Sequence, residues 1–145
     1  AMSVYENLLL GAYTVHNKAV IQTNLSFVFN LFPHLHARRN QLAGTLSGGE
    51  RKMLAIARGM MSSPALMLVD EPSLGLAPKL TLAVFDALQA LRQRGMTILL
   101  VEQNVNMTLH MVDRAYVIEQ GRIVLEGKGT DLLNNVHVQK AYLGI

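Results

Sequence analysis

Two short segments of the chain carry residue types and spacings that could do chemistry. Leu46-Ser47-Gly48-Gly49-Glu50 places two consecutive glycines after a serine, with a glutamate three positions beyond it. Ser-x-x-Glu is the capping-box pattern, in which each side chain answers an N–H group at a helix start. Paired glycines let the backbone come close to a bulky group. A helix N-terminus adds unpaired donors and a partial positive charge, which suits a phosphate. A tight turn before an ordinary capped helix explains the same residues. The second segment, Leu66-Met67-Leu68-Val69, is an apolar run ending in Asp70-Glu71-Pro72. Two carboxylates at the carboxyl end of a strand sit where α/β proteins place ligands. Taken alone they also fit a turn.

The elements that must position these groups follow from periodicity. Met53, Ile56, Ala57 and Met60 form an apolar stripe at helical spacing behind Glu50, and that helix ends near Ser62-Ser63-Pro64. Leu66–Val69 is an apolar run that fits a strand buried on both faces, and Thr97–Val101 is another continuous apolar strand. Between them Pro78 suits a helix first turn, with Val84, Phe85, Leu88 and Leu91 facing inward and Gly95 closing the helix. Alternating strand and helix imply a parallel sheet with right-handed crossovers, hence an α/β fold.

Upstream, Ser3-Val4-Tyr5-Glu6 is a second capping box opening a helix through Leu8, Leu9 and Ala12. A helix from Lys18 to Phe32 presents Ile21, Leu25, Val28, Phe29 and Phe32, and Pro33 ends it. His34-Leu35-His36 reads as a turn, followed by a connector over Arg38–Thr45. Two histidines without further ligands make a poor metal site. Downstream, Asn104 caps a helix through Leu109 and Val112. Ala115–Glu119 and Arg122–Glu126 flank Gln120-Gly121 as a hairpin. Gly127–Thr130 reads as a loop, with Thr130 capping the last helical segments.

The totals narrow the class. With 145 residues, 50% of them hydrophobic, the chain can bury a core of its own. No apolar run reaches the roughly 18–20 residues of a membrane span. No charged-then-apolar leader marks the chain for secretion. A formal net charge of +3 without a Lys/Arg block gives no electrostatic footprint for nucleic acid. The absence of cysteine excludes disulfides and thiolate metal sites.

Leu46–Glu50 resembles the signature motif of ATP-binding-cassette (ABC) ATPases. Leu66–Asp70 is similar to their Walker B strand, and Glu71 to the catalytic glutamate after it. Glu71-Pro72-Ser73-Leu74-Gly75-Leu76-Ala77-Pro78 and Val101-Glu102-Gln103-Asn104 resemble the ATPase subunits of bacterial branched-chain amino-acid importers. So do Val4-Tyr5-Glu6-Asn7-Leu8 and Ala141-Tyr142-Leu143-Gly144. The resemblance covers essentially the whole chain, and corresponds to only the second part of the family's domain. It implies an incomplete P-loop NTPase fold. Residues 1–63 would form the helical subdomain and signature helix, and residues 64–145 the C-terminal part of the nucleotide-binding core.

The same resemblance implies the roles. Asp70 would hold Mg²⁺, and Glu71 would orient or deprotonate the attacking water. Leu46, Ser47, Gly48, Gly49 and Glu50 would reach the γ-phosphate of ATP held by a second ABC ATPase subunit. Gln103 stands where many members carry a switch histidine, and Ala77 where many carry an aspartate. Gln103 can donate a hydrogen bond but carries no charge. No G-x-x-x-x-G-K-S/T segment occurs in the 145 residues, so the chain is expected to be inactive alone. The implied partners are the second ATPase subunit and transmembrane permease subunits. The implied location is cytoplasmic, peripheral on the inner face of the cell membrane. In the family the P-loop strand lies beside the strand leading to Gln103. Its absence would leave a sheet edge open to a non-native dimer. Two alternatives remain: a fragment of a non-transport ABC ATPase, and an inactive α/β interaction module.

Overall fold

A computed structural model describes residues 1–144, and the chain divides into two compact units, Ala1–Val101 and a second beginning at Glu102. The division falls after the second strand. In the first unit the helix that follows Ser47 packs both on the helix that opens the chain and beside the strand that follows it, so residues 1–101 hold together.

The first unit opens with α1 (Val4–Gly11), capped by Ser3 and Glu6 in a complete capping box. α2 (Lys18–Leu31) is capped by Asn17 and buries Leu25 and Val28. Pro33 does not simply end it. Phe32 is drawn out of helical geometry (φ −124°, ψ 71°), as the residue before a proline tends to be, and Pro33 then starts a new helix, α3 (Pro33–Ala37). His34-Leu35-His36, expected as a turn, is therefore helical, and its Leu35 is fully buried. A 3-10 turn (Ala43–Thr45) leads to α4 (Gly48–Met60). α4 buries Met53, Leu54, Ile56, Ala57 and Met60, so the expected stripe is its core face. Gly11 permits α1 to approach α4 closely: a Cβ there would lie 2.2 Å from the Arg58 carbonyl oxygen.

β1 (Leu66–Asp70) and β2 (Thr97–Val101) are joined by α5 (Pro78–Gln93) and pair in parallel, with Leu68 opposite Leu99 and Asp70 opposite Val101. The expectation that the first strand is buried on both faces is overturned. Val69 is buried, but Leu68 is 69% exposed and Leu99 58% exposed on the opposite face. Among the described residues these two strands pair only with each other. Helices therefore cover one side of this small sheet and leave the other in water.

The second unit contains α6 (Val105–Met111), capped by Asn104, and an antiparallel hairpin of β3 (Arg114–Glu119) and β4 (Arg122–Lys128). Gln120 and Gly121 both have positive φ, 48° and 75°, as a two-residue hairpin turn requires. The expected loop over Gly127–Thr130 is not one: β4 runs through Lys128, and α7 (Gly129–Leu133) begins at once. Its N-cap is Lys128 rather than Thr130. Gly129 meets α6 so closely that a Cβ would lie 2.3 Å from the Leu109 carbonyl oxygen, which places the helix start there. α8 (Val136–Val138) and a π-helical turn (Gln139–Leu143) follow. Leu109, Leu132 and Val138 form the core of this unit.

Candidate functional site

Ser47 has extended backbone (φ −60°, ψ 162°) and caps α4. Its Oγ accepts the Glu50 N–H at 3.3 Å, and Glu50 Oε2 accepts the Ser47 N–H at 2.8 Å. The reciprocal bonds leave Gly48 and Gly49 at the first helical positions, where an α-helix has no internal partner for its N–H groups. Two basic side chains brace the motif. Arg51 Nη1 donates to the Leu46 carbonyl at 2.6 Å, and Arg38 Nε pairs with Glu50 Oε1 at 3.4 Å. Hydrogen bonds from Ser47, side chain first and backbone second, hold the Glu50 carboxyl below its ordinary value, aided by Arg38 and His34.

The two glycines are not equivalent. A Cβ on Gly48 would meet nothing within 4 Å, whereas one on Gly49 would lie 2.6 Å from Leu80 Cδ1 and 3.2 Å from Leu76 Cδ2. Gly49 is thus a notch into which the start of α5 packs.

Asp70 is the last residue of β1 and is exposed. Glu71 leaves the strand with φ +42°, an uncommon conformation for a residue with a Cβ. Its N–H donates to the Val101 carbonyl at 2.8 Å, and its own carbonyl accepts from the Leu74 N–H at 3.3 Å. Lys52 Nζ also donates to the Glu71 carbonyl at 3.3 Å, and to that of Leu74. Sequence reasoning missed Lys52 and Arg51. The available signal was two basic residues in the first turns of a capped helix, which is common on solvated surfaces.

The first unit therefore brings together the signature helix and the turn after Asp70. Gln103 lies in the second unit, where its N–H donates to Glu102 Oε2 at 3.0 Å, and the same oxygen accepts from the Asn104 N–H at 3.2 Å. His34 and His36 take different aromatic neighbours, Phe32 edge-on at 6.2 Å and Phe29 at 4.6 Å. Among the described residues no group of three or more His, Cys, Asp or Glu side chains is arranged to hold a metal. A lone strand-end carboxylate still fits Mg²⁺, which is commonly bound through one or two carboxylates together with substrate phosphates and water.

A capped glycine pair, a parallel strand ending at Asp70 with Glu71 just beyond it, and a helix after that turn describe part of an ATP-binding cassette. The family model "ABC transporter" matches residues 1–74, and the chain belongs to that family. It is 50% identical over 143 residues to BraG, a high-affinity branched-chain amino acid transport ATP-binding protein of Pseudomonas aeruginosa, covering 99% of this chain and 61% of the relative. It is 39% identical over 145 residues to LivF of Archaeoglobus fulgidus, a probable branched-chain amino acid transport ATP-binding protein, again covering 99% and 61%. A solved ATP-binding cassette of an ABC transporter in its ADP conformation superposes with TM-score 0.76 at 27% identity, over 99% of this chain and 63% of that one. The incomplete P-loop NTPase fold is thereby established. The chain spans about three fifths of the length of the relatives it matches.

Proposed function

We propose that this chain is part of the ATP-hydrolysing subunit of an importer for branched-chain amino acids. The observation that carries the reading is the 50% identity to BraG across nearly the whole chain, which includes both chemical segments. The geometry supports it. Gly48 and Gly49 present helix-start N–H groups, with the Ser47 hydroxyl beside them, to a phosphate of ATP held by a second ATPase subunit. Asp70 would hold Mg²⁺, which neutralises charge on the phosphate oxygens when bound. Glu71 orients or deprotonates the attacking water, a role typically worth about 10²–10⁴ in rate. Gln103, at the position of the switch histidine, would supply a neutral hydrogen-bond donor where a histidine could carry charge. Transmembrane permease subunits are the remaining partners, and the chain works at the inner face of the membrane.

The 145 residues alone contain no G-x-x-x-x-G-K-S/T segment. Lacking its nest of N–H donors and its lysine, they bind nucleotide weakly and are catalytically silent. They also self-associate through the exposed strands β1 and β2. A Mg·ATP titration, with Glu71→Gln beside it, tests the reading. At most weak, unsaturated binding is expected at millimolar nucleotide, together with stimulated hydrolysis when the chain is mixed with a complete cassette and no stimulation by Ser47→Ala. Saturable micromolar binding by the chain alone would overturn the half-site reading.

A further inference from the structure

We infer that Lys52 is the positioning residue for Glu71, an inference that rests on the reading of Glu71 given above. Glu71 occupies a left-handed conformation, φ +42°, that a residue with a Cβ keeps only where its surroundings over-determine it. Two of its restraints are local to strand and turn: its N–H on the Val101 carbonyl at 2.8 Å, and its carbonyl on the Leu74 N–H at 3.3 Å. A further restraint comes from another element. Lys52, one turn into α4, places its ammonium between the Glu71 carbonyl, at 3.3 Å, and the Leu74 carbonyl. One cation thus closes both ends of the turn. A charged donor makes the stronger class of hydrogen bond, and Lys carries three donors on one atom.

An apolar link parallels the polar one. Leu76 and Leu80, just past the turn, fill the notch at Gly49, so the helix start and the turn meet on both sides of the same segment. The signature glycines and the Glu71 turn therefore move as one body. The backbone from which Glu71 projects its carboxylate is tied to the position of α4, and Lys52 is a polar group that ties it.

The test compares Lys52→Met, which keeps the stem and removes the donors, with Lys52→Arg, which keeps donors and charge. In hydrogen exchange on the chain itself, the Leu74 and Leu76 amides, which donate to the Glu71 and Ser73 carbonyls within this turn, should exchange about tenfold faster in Lys52→Met. The amides of α1 should be unchanged, and Lys52→Arg should restore protection. Unchanged exchange at Leu74 and Leu76 overturns the inference. For the catalytic consequence, the chain is joined to the upstream nucleotide-binding segment of the Pseudomonas aeruginosa relative. There Lys52→Met should lower kcat about tenfold at constant KM for ATP, with recovery in Lys52→Arg. Faster exchange with unchanged kcat would remove Lys52 from catalysis and leave the reading of Glu71 standing. Retained kcat in Glu71→Gln would instead overturn the reading of Glu71 itself.

Discussion

Ser47 and Glu50 hold each other's backbone: Glu50 Oε2 takes the Ser47 N–H at 2.8 Å, and Ser47 Oγ takes the Glu50 N–H at 3.3 Å. The glycines proposed to meet phosphate sit between these two bonds, so their geometry depends on both. Ser47→Ala removes one acceptor and should cost about 1 kcal/mol of stability, read as a lower urea midpoint at unchanged m-value.

The same pair sets a pH dependence. Ser47's hydrogen bonds hold the folded Glu50 carboxyl below its ordinary value of 4.5. The folded state therefore binds its proton less readily than the unfolded state does. The contribution of Glu50 is complete above pH 4.5 and fades as pH falls through the depressed folded value. Urea midpoints measured from pH 7 down to 3 should show this loss in the wild type. Glu50→Gln, which retains a capping-box side chain, should flatten that part of the profile. An unaltered slope in the variant would contradict the assignment.

Gly49→Ala and Gly48→Ala should part company. The new methyl at position 48 meets open space, while at position 49 it lies 2.6 Å from Leu80 Cδ1. Leu80 can swing, so the cost at position 49 should be about 1 kcal/mol, against a near-neutral change at 48. Gly11→Ala should be worse than either. Its methyl would meet the Arg58 carbonyl oxygen at 2.2 Å, backbone that moves only if α1 parts from α4. A loss of about 2 kcal/mol or more is expected, with Gly44→Ala, open within 4 Å, as the neutral control. Thermal melts of the four variants check the order.

What could be read in advance was local. Ser3-x-x-Glu6 and Ser47-x-x-Glu50 are three-residue spacings, and both capping boxes form. Gln120-Gly121 announces its own turn, because the conformation is fixed by the two residues that adopt it. Lys52 was not legible, since its acceptor lies nineteen residues away and is a backbone carbonyl, which no side-chain pattern marks. Nor was the burial of Leu66–Val69. An apolar run says that a strand tolerates cover on both faces, and here helices supply cover on one. Phe32-Pro33 misled in the other direction: proline bars one helix and starts the next, so His34 and His36 sit on a helix rather than a turn.

Leu66, Leu68, Leu99 and Val101 lie on one side of β1 and β2, each more than half exposed (52%, 69%, 58% and 54%). Four contiguous apolar side chains in water favour burial against a second copy, and unpaired strand edges offer hydrogen bonds to the same end. Leu68 is the most exposed of the four. Sedimentation across the micromolar range should therefore show a dimer or larger species for the wild type, and Leu68→Glu should shift it to monomer. Because Leu68 faces solvent in the isolated chain, the substitution should leave the thermal midpoint of the monomer almost unchanged, which separates lost association from lost folding. A wild-type chain that stays monomeric throughout that range, with β1 and β2 still paired only to each other, would show that the face is stable in water and that no copy covers it.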